Sequence, residues 1–140
     1  MILLPLFKYQ ILSKEINETR YQLKLDEIFE ERDIRFAGFV DIEGYLKKGR
    51  FREGIIPLGT DKEQQKIFRE LAYRVSTRKH FDYSMGSVKY SASRREKLVM
   101  MSFPLKNSIL LITTEPNVNI DRIAYRIIQI LEKWFVVYSK

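Results

Sequence analysis

Apolar positions recur along this chain with two different periods, and they divide it into eight elements. From about Ser13 to Glu31 the period is helical: Tyr21, Leu25, Ile28 and Phe29 fall at i, i+4, i+7 and i+8, one face of a helix, and Glu27, Glu30, Glu31 and Arg32 cover the rest. Ile34–Val40 is apolar or small except at Arg35, the pattern of a strand covered on both faces. Asp41-Ile42-Glu43-Gly44 then reads as a turn, and Tyr45–Phe51 as a returning strand whose Lys47, Lys48, Gly49 and Arg50 suit a guarded sheet edge. Pro57, Gly59 and Thr60 break the chain. Thr60-Asp61-Lys62-Glu63 has the spacing of a capping box, because the threonine oxygen can accept from the Glu63 amide while Glu63 reaches back to the cap. The second helix follows, with Ile67, Phe68, Leu71, Ala72 and Val75 on its apolar stripe and Lys66, Arg69, Arg74 and Arg78 opposite, and it ends before Met85-Gly86.

Three strands come next. Ser87–Ser93 alternates Val88, Tyr90 and Ala92 against Lys89, Ser91 and Ser93. After a turn at Ser93-Arg94-Arg95-Glu96, Leu98–Phe103 and Ser108–Thr114 are apolar on both faces, and Pro116-Asn117 stops the last of them. A third helix, capped by Asn119, runs from Ile120 to about Trp134, with Ile120, Ile123, Ala124, Ile127, Ile128, Leu131, Trp134 and Phe135 on a wide apolar face. The order is helix-strand-strand-helix-strand-strand-strand-helix. That is an α+β chain with neither internal repeat nor linker, and residues 1–140 are expected to form one domain with an apolar N-terminal extension over 1–12.

Composition narrows the chemistry. The 140 residues are 45% hydrophobic, enough for a core, and include no cysteine, which removes thiol nucleophiles, disulfides and cysteine-ligated metals. Met1–Phe7 is apolar but short, holds Pro5 and has no basic residue before it, unlike a signal peptide, and no apolar run approaches the roughly 20 residues needed to cross a bilayer. The expectation is a cytoplasmic protein without a membrane span. The single histidine, His80, has no signalled partners for a triad or a metal site. Asp41 with Glu43, and Glu30 and Glu31 with Asp33, sit where solvated acids ordinarily sit. The six glycines form no phosphate-binding loop. No catalytic residue, cofactor or metal is implied.

Charge points instead to a surface. The net charge is +7 and is uneven: residues 1–46 hold six Lys/Arg and nine Asp/Glu, whereas residues 66–97 hold nine Lys/Arg and three Asp/Glu. Within the second stretch Arg74, Arg78, Lys79, Lys89, Arg94, Arg95 and Lys97 interleave with Tyr73, Phe81, Tyr83 and Tyr90. Such a block serves as a solvated rim, as a protein interface, or as a nucleic-acid surface of arginine forks and stacking rings. No RNA-recognition motif accompanies it.

The element order, with a three-strand meander between the last two helices, resembles the roadblock/longin superfamily over about residues 14–134, and in looser shape profilin-like and PAS-like sensor domains. Residues 81–97, FDYSMGSVKYSASRREK, with Thr114-Glu115-Pro116-Asn117, also resemble an uncharacterised family of small archaeal proteins. The roadblock resemblance implies a five-stranded antiparallel sheet ordered 2-1-5-4-3, flanked by helices on both faces, with the first and third helices on one face and the second on the other. It implies a non-enzymatic homodimeric adaptor or regulator, joined through the third strand and second helix and often acting with a small GTPase. The residues agree: the three strands it makes internal are those apolar on both faces, and the two it makes edges are polar. Strand two is guarded by lysines, while strand three carries only Lys89 and no proline, so its edge is open to pairing. The expected interface is Ser87, Val88, Lys89, Tyr90 and Ser91 with Arg74 and Arg78; Lys79, Arg94, Arg95 and Lys97 form the basic surface beside it. Nucleic-acid binding by residues 74–97, or a small-molecule sensor with a cavity between sheet and helix, are the alternatives.

Overall fold

The computed structural model describes residues 18–138, with side chains to Lys133. The apolar extension over 1–12, the expected helix start at Ser13 and the side chains of Trp134 to Tyr138 lie outside the described residues.

Helix α1 is described from residue 18 to Ile28, three residues short of the expected end. Its last turn unwinds through i→i+3 bonds, Glu30 N–H to Glu27 O (3.2 Å) and Glu31 N–H to Ile28 O (3.1 Å), and delivers the chain into β1, Ile34–Asp41. The β1–β2 turn is tied by the Asp41 carboxylate, which accepts from the Glu43 and Tyr45 amides at 2.9 Å each. Gly44 in that turn has φ +94°, and a Cβ there would lie 2.7 Å from the Arg69 Cα, so the hairpin tip can rest against the second helix only as glycine.

Strand β2 is Leu46–Phe51, helix α2 is Asp61–Arg78, and the capping box is complete: Thr60 Oγ1 accepts from Glu63 N–H, and Glu63 Oε1 accepts from Thr60 N–H, both at 3.2 Å. A 3-10 turn, Lys79–Phe81, and a four-residue helix α3, Asp82–Met85, extend α2 to Gly86. Strands β3 (Ser91–Arg94), β4 (Val99–Pro104) and β5 (Ser108–Thr114) lead to helix α4, Ile120–Tyr138. Asn119 Oδ1 accepts from Arg122 N–H at 3.0 Å, as expected of its cap, and the helix continues beyond the expected Trp134.

The five strands form one antiparallel sheet in the order β2-β1-β5-β4-β3, which is the expected order. The core has two layers. Leu25 and Ile28 of α1 meet Ile123, Ala124, Ile127 and Ile130 of α4 over Ala37, Phe39, Met101, Phe103, Leu110 and Ile112. On the other face Phe68, Leu71 and Ala72 of α2 cover Phe36, Val40, Ile109 and Leu111. Each of the larger of these side chains, the Val, Leu, Ile, Phe and Met residues, contributes roughly 1.5–3 kcal/mol by leaving water. Because β1, β4 and β5 are covered on both faces, their apolar runs have no alternation, while edge strands β2 and β3 are largely exposed. The β2 edge also carries a bulge: Phe39 pairs with Lys48 and Val40 with Leu46, leaving Lys47 without a partner across the ladder.

Strand β3 departs from expectation. Its ladder starts at Ser91, opposite Ser102, and ends with Arg94 opposite Val99. Ser87, Val88, Lys89 and Tyr90 are not part of it. Gly86, at φ +82°, turns the chain away, and Tyr90 is committed elsewhere: its ring packs 6.1 Å from Phe103, and its hydroxyl donates to Asp121 at 2.7 Å. These tertiary contacts override the alternation of Val88 and Tyr90.

Candidate interaction surface

Five of the seven ion pairs among the described residues join α1 and the turn after it to α4 and β2; the other two are Arg35–Glu115 at 3.0 Å and Arg74–Glu70. Glu31 takes both guanidinium nitrogens of Arg122 (2.8 and 3.1 Å), Glu30 meets Arg126 (3.4 Å) and Glu27 meets Lys133 (3.2 Å), so the acids of α1 and the turn after it are matched by cations of α4, 91 to 106 residues away. Hydrogen bonding to Arg122 holds the Glu31 carboxyl below the usual range, against an opposing push from partial burial. Asp26 pairs with Arg50 of β2 at 2.8 Å. Among the described residues, five acids of the acidic stretch 1–46, Asp26, Glu27, Glu30, Glu31 and Asp33, are thus paired within the fold.

The stretch from α2 to β3 keeps most of its charge. Of the nine cations between Lys66 and Lys97, Arg74 alone forms an ion pair among the described residues, a loose 3.9 Å contact with Glu70 one helical turn away. Lys66, Arg69, Lys79, Lys89, Arg95 and Lys97 are exposed and in no ion pair among the described residues. The interleaved aromatics are exposed too: Tyr73 at 75%, Phe81 at 57% and Tyr83 fully. Tyr90 is the exception, anchored toward Phe103 and Asp121 as described above; its hydrogen bond to Asp121 is the main cause raising the phenol above its usual range.

Two arginines in this stretch also tie the fold together. Arg78 Nη1 donates to Ser91 Oγ at 2.9 Å and ties the end of α2 to the start of β3. Arg94 donates to the carbonyls of Pro116 and Val118, pinning the end of β3 to the loop before α4. The expected basic surface is therefore divided: Lys79, Arg95 and Lys97 are exposed, and Arg94 is a tie. His80 lies exposed in the 3-10 turn, and no cluster of three or more metal-ligating side chains occurs among the described residues.

The free edge of β3 borders an open groove of about 910 Å³ between α2 and the sheet. Phe36, Phe51, Ile67, Met100 and Leu111 supply its apolar lining, and Arg74, Arg95 and Lys97 stand with Glu63, Glu70 and Glu96 among its polar residues. The register identifies the outward-facing amides. Arg95 N–H bonds to Leu98 O at 2.8 Å, closing the β3–β4 turn, so Ser93 and Ser91 are the next residues bonded to β4, and Ala92 and Arg94 direct their N–H groups to the open edge.

One residue that ties the scaffold together at the far edge of the sheet is not apparent from the sequence. Arg52, just past β2, donates from Nε to Ile34 O (2.8 Å) and from Nη2 to Phe29 O (2.9 Å) and Glu31 O (2.7 Å). It closes the carbonyl end of α1 and fixes the start of β1. With Arg50 it also brackets the Phe29 ring, at 5.3 and 4.6 Å from the centroid. Only the register between β1 and β2 brings these groups together.

Comparison with known proteins bears on family and fold. A family model described as "Family of unknown function (DUF6659)" matches residues 13–140. No curated protein matches the chain. Among solved structures, the roadblock/LC7 domain from Streptomyces avermitilis superposes with a TM-score of 0.63 at 6% identity, covering 84% of this chain and 97% of that one. MglB of Myxococcus xanthus gives 0.64 at 10% identity over 84% and 93%. A structure described as MglB with tetrameric arrangement gives 0.60 at 12% identity over 84% and 90%. At these identities the likeness is one of fold, and the fold is that of roadblock/LC7 domains.

Proposed function

This chain belongs to the DUF6659 family of unknown function, and we propose that it is a cytoplasmic, non-enzymatic adaptor or regulatory protein that works as a homodimer and docks a protein partner, a small GTPase being the class its resemblance suggests. The observation that carries the proposal is the coincidence, among the described residues, of three features: an unpaired β3 edge, an apolar-lined groove beside it, and exposed cations without ion pairs. An unpaired edge offers backbone donors and acceptors to a second strand. The groove gives apolar surface for a neighbouring helix to bury. The cations favour a partner with an acidic face and speed encounter with it. The neighbour described as MglB with tetrameric arrangement supports the reading in so far as a protein of this fold associates with copies of itself.

The interface residues follow the register. Ala92 and Arg94 present edge amides, Ser91 and Ser93 bond inward to β4, and Arg74 lies on the α2 side. Proline at Ala92 removes an outward donor and leaves the β4 ladder intact, so it should break the dimer and spare the monomer. Proline at Ser91 should damage the sheet itself. The test is the mass in solution of wild type and Ala92→Pro at tens of micromolar; a strictly monomeric wild type overturns the dimer. The exposed cations also favour one second reading, binding of a nucleic acid. Fluorescence anisotropy with a labelled single strand would then show affinity falling steeply with salt, and no binding at low salt rejects it.

A further inference from the structure

The departure of residues 87–90 from the sheet opens a second cleft. Because β3 meets β4 only from Ser91↔Ser102 onward, the end of β4 at Pro104 pairs with β5 alone, and a gap of about 660 Å³ lies between the Pro104–Ser108 turn, the end of α2, and helices α1 and α4. Tyr21, Val75, Val88, Pro104, Leu105 and Leu131 give it apolar walls. Four cations line it, Lys24, Arg78, Lys79 and Lys106, against two carboxylates, Asp82 and Glu132. None of the four is in an ion pair among the described residues.

Lys24 is the most unusual of them. Its ammonium is half-buried above the rings of Tyr21 and Phe39, 6.0 and 5.8 Å from their centroids. Burial first, and the charge of Arg20 second, hold it below the usual lysine range. Among the described residues no carboxylate pairs with this partly desolvated cation, so a well-placed anion entering the cleft would be stabilised by it. The volume suits a small organic molecule, and apolar walls with a few convergent charges are the ordinary make-up of such sites.

We propose that this cleft binds a small amphipathic anion: a carboxylate or phosphate head held by Lys24, Arg78 and Lys106, on a short apolar body lying against Tyr21, Val88 and Leu105. The site is built from one chain, so it goes beyond the adaptor reading and stands whether or not the protein dimerises. Octanoate and octyl phosphate, titrated into the isotope-labelled full chain and followed by amide NMR shifts, are the probes. The expected result is saturable binding of at least one of them, with shifts centred on Val88, Ser91, Leu105 and Asn107. Inorganic phosphate and octanol, each lacking half of the chemistry, should bind at least tenfold more weakly. Lys24→Met keeps the apolar stem against the two rings, and Lys106→Gln lies in an exposed turn where folding is not at risk; together they should weaken binding at least tenfold, and Lys106→Gln alone measurably. Failure of both probes to saturate up to millimolar concentration overturns the proposal. So does unchanged affinity in the double variant, or a set of shifts centred on the groove beside Met100.

Discussion

Replacing Arg52 offers a sharp test of how the scaffold is held. The Arg52 guanidinium makes three bonds of 2.7–2.9 Å to main-chain carbonyls of the α1–β1 connection, in a part-buried setting. Hydrogen bonds from a charged donor contribute about 1.5–3 kcal/mol each in isolation, but these three share one side chain and are not additive. Methionine at this position keeps much of the stem's packing against Phe29 and removes all three donors, leaving the carbonyls that end α1 short of partners. Arg52→Met should cost about 2–4 kcal/mol, which for a domain of this size lowers the melting temperature by roughly 6–12 °C. Lysine restores the charge but not the fork, and can reach one or two of the carbonyls, so Arg52→Lys should lose about half as much. Urea titration followed by circular dichroism measures both. A loss below about 0.5 kcal/mol for Arg52→Met, or a lysine variant equal to wild type, would refute the reasoning that directional bonds rather than charge or bulk hold α1 on the sheet.

Other consequences are as direct. Gly44→Ala places a methyl against the Arg69 backbone at a positive φ, and should cost more than about 2 kcal/mol in the same titration. Glu31→Gln should cost about 1 kcal/mol at pH 7 through loss of the paired bonds to Arg122. Because the folded Glu31 pKa lies below its ordinary 4.5, this contribution is fully present above that value and is lost as pH falls through the lowered one. Wild type and variant should therefore converge in stability in acid, which thermal melts across pH 2–7 would read. Thr60→Ala removes the reciprocal cap of α2 and should cost about 1 kcal/mol.

Much of the fold was legible because the sheet's layering writes itself into the sequence. Three unalternating apolar runs mark the strands covered on both faces, two polar ones mark the edges, and a chain with that arrangement has few ways to order its strands. The capping box at Thr60 and the cap at Asn119 gave two helix starts. Local pattern misled where a tertiary contact outweighed it. Val88 and Tyr90 alternate as in a strand, yet Tyr90 belongs to Phe103 and Asp121, and β3 is left with four residues. The charge asymmetry was visible, but its meaning was not. That α1 is neutralised by α4, while the α2 side keeps its cations, depends on pairs such as Glu31–Arg122 that no spacing reveals. Arg94 and Arg52 look like ordinary surface arginines in sequence; the carbonyls they bind are gathered by the fold. The cleft around Lys24 arises from the same departure of residues 87–90 that shortened the strand.

The central claim is that the open edge of β3 pairs with a second copy, and the mass of the protein in solution tests it most directly. Multi-angle light scattering at tens of micromolar should give twice the 16.8 kDa of one chain for wild type, and a folded species of 16.8 kDa for Ala92→Pro. A wild-type mass of one chain, or an Ala92→Pro variant that stays dimeric, would contradict it.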